Sequence, residues 1–287
     1  MTISLRRMGA RVVGAARLNA NALSCHCRRA LMMMCLRRIC FFLVLGGELI
    51  LAAAGEAAID QTTRDRALVI LERIEARDPL ADDRFVESLE QRLSRASGID
   101  KLRAMHELLY FKSYGFEAAQ DAITEIRQEA NRQGNETYEA IARSRAIYLD
   151  FKQTKSEAAL GRLESELAAA RQRFDWLAET QIRRLITYLH WSEGRREAAI
   201  QTLQKAFERV PRAAPESDFA RITLLDVLEF IHADSGDLTA LIETAEQTLD
   251  ISSRSGLPVN TELIVRDFAY LFRLRGDYAI ALRFYQA

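Results

Sequence analysis

Small apolar positions recur along this chain at an almost constant step. Ala119, Ala159, Ala199, Leu241 and Ala281 are separated by 40, 40, 42 and 40 residues. Ile123, Leu163, Leu203, Ala245 and Tyr285 follow four residues later, and a turn residue lies five before, most clearly at Gly194, Gly236 and Gly276. A period of this size marks stacked helical units, because one unit cannot bury its own apolar face and its neighbours must cover it. The recurrence predicts an all-α fold, a right-handed α-solenoid of five to six helical hairpins with a period of 40 residues, over residues 62–287. The first unit, 62–97, is degenerate.

Charge narrows the function classes. Lys plus Arg equals Asp plus Glu at 40 each, which gives no support for a nucleic-acid partner. The balance is uneven along the chain. Residues 1–59 carry eight arginines against Glu48 and Glu56, so the rest is acidic by six. All the cysteines, Cys25, Cys27, Cys35 and Cys40, precede residue 41, so no disulfide framework holds the folded part. Cys25-His26-Cys27 lacks a second ligand pair and reads as no metal site.

Residues 1–58 read as a basic N-terminal segment carrying a signal peptide or membrane anchor. Arg37-Arg38 precede an apolar run, 39–54, that ends in Ala52-Ala53-Ala54 before Gly55. A positive flank, a short apolar stretch and a small-residue exit are the three parts of a secretory signal. Glu48 is a defect in the run, costing about 3 kcal/mol on insertion scales. Met32-Met33-Met34 stand directly before Cys35, where a start would give a signal of ordinary length. The competing reading is a basic arm touching anionic lipid. After residue 60 nothing has membrane length and hydrophobicity.

The last unit reads Gly276-Asp277-Tyr278-Ala279-Ile280-Ala281-Leu282-Arg283-Phe284-Tyr285. It resembles the second helix of a tetratricopeptide repeat: Gly276, Tyr278, Ala281 and Tyr285 match that family's glycine, aromatic, alanine and aromatic positions. Phe268, Ala269 and Phe272 match the packing positions of the preceding helix. The unit from Gly194 to Pro211 matches through Gly194, Ala199, Leu203, Ala206 and Pro211. The units around Ala119, Ala159 and Leu241 match by spacing. The family's repeat is about 34 residues, and the longer period here is similar to the periplasmic sensor regions of bacterial signalling proteins. The resemblance implies a non-catalytic ligand- or protein-binding region of an envelope protein, periplasmic or membrane-anchored facing the periplasm. Two alternatives stand beside it: a cytoplasmic tetratricopeptide adaptor, and the N-terminal part of a diguanylate cyclase whose catalytic domain lies elsewhere. The repeat domain reads as incomplete at its C-terminus, with Phe284 and Tyr285 left for a neighbour or a second copy to cover.

Chemistry-bearing residues are sparse. The sequence has no Gly-rich phosphate loop, no His-Glu-x-x-His and no nucleophile elbow, and the reading is no enzyme, no cofactor and no metal. His190 and His232 occupy the same position in adjacent repeats and read as packing residues. Asp82-Asp83 read as the first turn of a helix. Pro215 with Glu216 and Asp218, and separately Pro258, read as helix starts. The resemblance places the first helix of each repeat along a concave face. Arg184, Tyr188 and Trp191 in one unit, and Arg266, Tyr270 and Arg273 in another, are then the candidate binding residues, with Tyr148, Phe151, Asp226 and Phe230 near them; the alternative is that the Tyr and Trp side chains pack between adjacent repeats while the Arg side chains face water. Aromatic and arginine side chains dominate binding hot spots. The expected partner is a protein or peptide, with no nucleic acid and membrane contact only through the N-terminal segment.

Overall fold

The structure, a computed structural model, describes residues 59–287 apart from Pro79, Ser113 and Tyr114. The basic segment 1–58, its apolar run and the cysteines lie outside the described residues. The described chain is all-α. Twelve helices follow one another: α1 (Gln61–Glu75), α2 (Ala81–Arg95), α3 (Gly98–Phe111), α4 (Phe116–Gln133), α5 (Glu136–Thr154), α6 (Ala158–Gln172), α7 (Trp176–Ser192), α8 (Arg196–Arg209), α9 (Ser217–Ser235), α10 (Leu238–Ser255), α11 (Thr261–Leu274) and α12 (Tyr278–Gln286). No strand occurs among the described residues, and none of their helices is long and apolar enough to cross a membrane.

Short links between helices follow a common local design. At Gly236, with φ of 76°, the glycine N–H bonds to the Ala233 carbonyl and the Asp237 N–H to that of His232. This left-handed cap satisfies the carbonyls that a helix end leaves bare. Asp237 then accepts from the Ala240 N–H and starts α10. One residue therefore closes the old helix and the next opens the new one. Gly276 and Asp277 repeat the arrangement between α11 and α12. Phe174 fills the glycine's place between α6 and α7, with φ of 55° and its ring 82% exposed, and Lys155 takes the left-handed position between α5 and α6. A side chain at positive φ costs roughly 1–2 kcal/mol.

The helix starts agree with the sequence except in detail. Asp82 and Asp83 lie in the first turn of α2, and Asp218 in that of α9. The start near Pro258 falls later: Asn260 caps α11, its side chain accepting from the Leu263 N–H at 3.0 Å.

Tertiary contacts carry the 40-residue period. Each helix from α3 onward packs on the next in sequence, and the odd-numbered helices α5, α7, α9 and α11 also pack in a continuous row. Ala159, Ala199, Leu241 and Ala281 are buried in α6, α8, α10 and α12, where a larger side chain would push neighbouring helices apart. The core falls into two main clusters, one running from α3 to α9 and one joining α1 to α10, α11 and α12. Buried polar contacts cross the α7 layer. Glu179 accepts from Arg183 and from Arg209 of α8, and the Gln181 amide bonds to Thr223 of α9 at 3.1 Å.

The first unit departs from expectation. The stretch 62–97 forms no hairpin of its own: α2 packs on α3, while α1 packs on α10, α11 and α12. Composition explains the choice. Helix α1 offers the buried stripe Ala67, Ile70 and Leu71, whereas α2 buries only Leu89 and cannot cover such a stripe. The C-terminal hairpin can, and Phe284 is fully buried with Phe268 and Phe272 stacked beside it. The expectation that both Phe284 and Tyr285 stand uncovered is corrected for Phe284. Tyr285 stays 56% exposed.

Candidate ligand-binding face

One side-chain position recurs along the row of odd helices. Tyr148 of α5, Tyr188 of α7, Phe230 of α9 and Tyr270 of α11 are separated by 40, 42 and 40 residues. Because the helices carrying them pack side by side, equal repeat positions become spatial neighbours. The Tyr148 and Tyr188 rings lie 5.7 Å apart between centroids, and Tyr188 and Phe230 6.0 Å apart. Trp191 packs on Phe230 at 6.4 Å. Phe230 and Tyr270 line one cavity of about 340 Å³ with Asp234, Arg266 and Tyr285.

The six candidate residues separate into two groups. Arg184, Tyr188 and Trp191 are each engaged by neighbouring side chains of the fold. Arg184 is 5% exposed and its guanidinium lies over the Tyr110 ring of α3 at 5.2 Å. The Tyr188 hydroxyl donates to Asp226 Oδ2 at 3.3 Å. Trp191 is 9% exposed, its indole N–H bonded to Asp234 Oδ2 at 3.1 Å and its ring under the Arg196 guanidinium. Phe151, placed near the groove by the same reasoning, is a core residue. By contrast Arg266 is exposed, its guanidinium turned to its neighbour Asp267. Tyr270 is 38% exposed with Arg273 over its ring at 5.6 Å.

What covers Arg184 is helix α3, through Tyr110. His106 sits edge-on to Tyr138 of α5 at 5.7 Å and to Phe219 of α9 at 5.2 Å, so α3 reaches both. Tyr110 also packs on Phe219, and Arg103 donates twice to Glu216 before α9. Burial, and then the charges of Arg145 and Arg184, hold His106 well below the usual imidazole range, so the ring is neutral and packs as an aromatic.

Past α3 the row turns acidic. Burial raises the carboxyl of Asp226 against the pull of Arg184 and of the Tyr110 and Tyr188 hydroxyls. Glu229 accepts from the Thr248 hydroxyl at 2.7 Å, and burial pushes its carboxyl up to about 8. Asp267 is raised as well, again by burial, despite its bond to Arg266. His190 and His232 are both half-buried, and burial lowers each.

Sequence reasoning missed Arg145 and Tyr110, and set His106 aside because it falls on a different repeat position from His190 and His232. Arg145 was within reach, since Arg145, Arg184, Asp226 and Arg266 follow at steps of 39, 42 and 40 and occupy nearly the same repeat position. No family model, curated protein or solved structure matches this chain.

Proposed function

We propose that this chain is a non-catalytic binding region, a tetratricopeptide-like right-handed solenoid whose groove takes a protein or peptide at its C-terminal end. The observation that carries this is the place where the aromatic ladder leaves the core. Tyr148 and Tyr188 are packed, but Phe230 is 36% and Tyr270 38% exposed, beside Arg266 and the exposed Tyr285. Such a set supplies apolar area at low entropy cost and directed hydrogen bonds, the two things a hot spot needs. Tyr278 and Leu282, exposed on α12, offer a second apolar contact for a copy of the chain or a neighbouring segment.

The test is selection of peptides from a random display library on the full chain, followed by affinity measurements. Tyr270→Ala and Arg266→Ala should each weaken the selected peptides by roughly tenfold, about 1–2 kcal/mol, with helix content unchanged. Peptides that bind both variants as well as the parent would remove the groove reading.

The apolar run 39–54 behind Arg37-Arg38 supports an envelope setting, as a sensor region of a signalling protein. Fractionation of a tagged chain tests this part separately. Processed or membrane-bound protein favours the sensor, and unprocessed cytosolic protein favours an adaptor.

A further inference from the structure

Between α3, α4, α5 and α7 lies a second cavity, of about 400 Å³, whose lining residues differ from those of the peptide groove proposed above. Its size is that of small-molecule sites, roughly 300–1,000 Å³. Four cations line it: Arg145, Arg184 and, exposed at its rim, Lys112 and Lys152. Among the described lining residues there is no carboxylate. Lys112 bonds to Glu90, so the excess charge rests mainly on the two arginines.

Those arginines are unusual within this protein. Arg143 is held by Glu166, Arg183 by Glu179 and Arg103 by Glu216. Arg145 Nε and Nη2 and Arg184 Nε are cut off from solvent and have no hydrogen-bond partner. A guanidinium offers five donors in a fixed fork, and leaving them unmet away from water is costly. Asp226, whose carboxyl feels the Arg184 charge, lines a different cavity and already accepts from Tyr188. Burial, followed by the Arg184 charge, lowers Arg145 to about 9, still protonated at neutral pH. Two mutually repelling cations lining one cavity, with no carboxylate among its described lining residues, are what an oxyanion would neutralise and bridge. The remaining wall is apolar and aromatic, with Leu185 and the Tyr148 and Tyr188 rings.

We propose that this cavity binds a small organic anion, its carboxylate or phosphate group held between Arg145 and Arg184 and its flat apolar part against Tyr148 and Tyr188. Helix α3 closes one wall through Leu109, so the ligand is a free small molecule rather than the interior of a peptide.

The test uses the full chain at pH 7 and constant ionic strength, with four probes: inorganic phosphate, phenyl phosphate, benzoate and the neutral benzyl alcohol. The melting temperature should rise and saturate with phenyl phosphate or with benzoate, whichever head group the site takes, and should not respond to benzyl alcohol. Arg145→Met should weaken that probe by about ten- to a hundredfold, the loss expected for a charge-assisted hydrogen bond. Its own ligand-free melting temperature should equal or exceed the parent's, because a cation with two unmet donors cut off from solvent is gone. Arg212→Met, on an exposed residue outside the cavity, should bind as the parent does. A second measurement needs no variant to fold: the guanidinium Nε–H resonances of Arg145 and Arg184 should shift with the probe. No saturable response to either organic anion, an Arg145→Met variant that binds like the parent, or unmoved Nε–H signals at saturation would each overturn the site. Inorganic phosphate binding as tightly as phenyl phosphate would overturn the organic part of the ligand.

Discussion

Replacing Leu71 by alanine should release both ends of the described chain at once. Leu71 is fully buried in α1, in one cluster with Leu241 of α10, Phe272 of α11 and Phe284 of α12. A leucine removed from such a site costs about 2–5 kcal/mol, depending on how far the cavity collapses. Stiff aromatic neighbours collapse poorly, which places the expected loss near 3 kcal/mol. The polar contacts of α1 cannot compensate. Arg66–Glu246 and Arg73–Asp250, both 2.8 Å, are partly exposed pairs worth about 0–1 kcal/mol each. A helix of 15 residues is marginal in isolation, so α1 exists because it is docked. Once it loosens, Phe284 loses its cover and α12, nine residues long, has only α11 to hold it. Hydrogen exchange read by mass spectrometry should show amides of α1 and α12 exchanging about a hundredfold faster, the factor equivalent to about 3 kcal/mol. Helices α4 to α8, which belong to the other cluster, should change little. Faster exchange in α1 with α12 unaltered would refute the argument, since α12 would then be held by α11 alone.

Two further changes test other parts of the account. Phe174→Gly should raise the urea midpoint, by an amount corresponding to about 0.5–1 kcal/mol. It relieves a left-handed side chain worth roughly 1–2 kcal/mol and returns part of that gain as unfolded-state entropy; a lower midpoint would show that the ring packs after all. Glu229→Gln should flatten the pH dependence of stability. Because the folded carboxyl is raised to about 8, above its unfolded value, the folded state holds the extra proton. Stability from this group is therefore full below the unfolded value and falls as pH rises towards 8. Melting at pH 8 should be higher for the amide than for the parent, and equal pH profiles would exclude a buried neutral Glu229. His106 acts with the opposite sign in a more acidic window, as its depressed value makes the fold lose stability as pH falls below the usual imidazole range.

Much of this fold was legible because its links are local. Gly236-Asp237 and Gly276-Asp277 end one helix and cap the next within two residues, and Ala199 and Ala281 mark close helix contacts. Phe174 and Lys155 hid two equivalent turns, because neither residue type announces a positive φ. The docking of α1 was illegible for a different reason. Periodicity identifies Ala67, Ile70 and Leu71 as a face to be buried but does not say against what, and the answer lies far away in sequence, through pairs such as Arg66 with Glu246, 180 residues apart. The candidate site divides along the same line. Tyr270, Arg266 and Phe230 stay exposed, as a residue offered to a partner must. Arg184 occupies the same register but is covered by α3, a contact between Tyr110, Phe219 and Arg184 that no local pattern encodes.

Site-specific photo-crosslinking tests the binding surface most directly. A photoreactive phenylalanine analogue is placed at Tyr270 in the full chain and irradiated in the native host. The same analogue at Phe174, 82% exposed in the turn between α6 and α7, serves as the reference. The account predicts a discrete adduct from position 270, absent from position 174 and weakened when Arg266→Ala is added. No adduct at 270, or the same adducts from both positions, would contradict it.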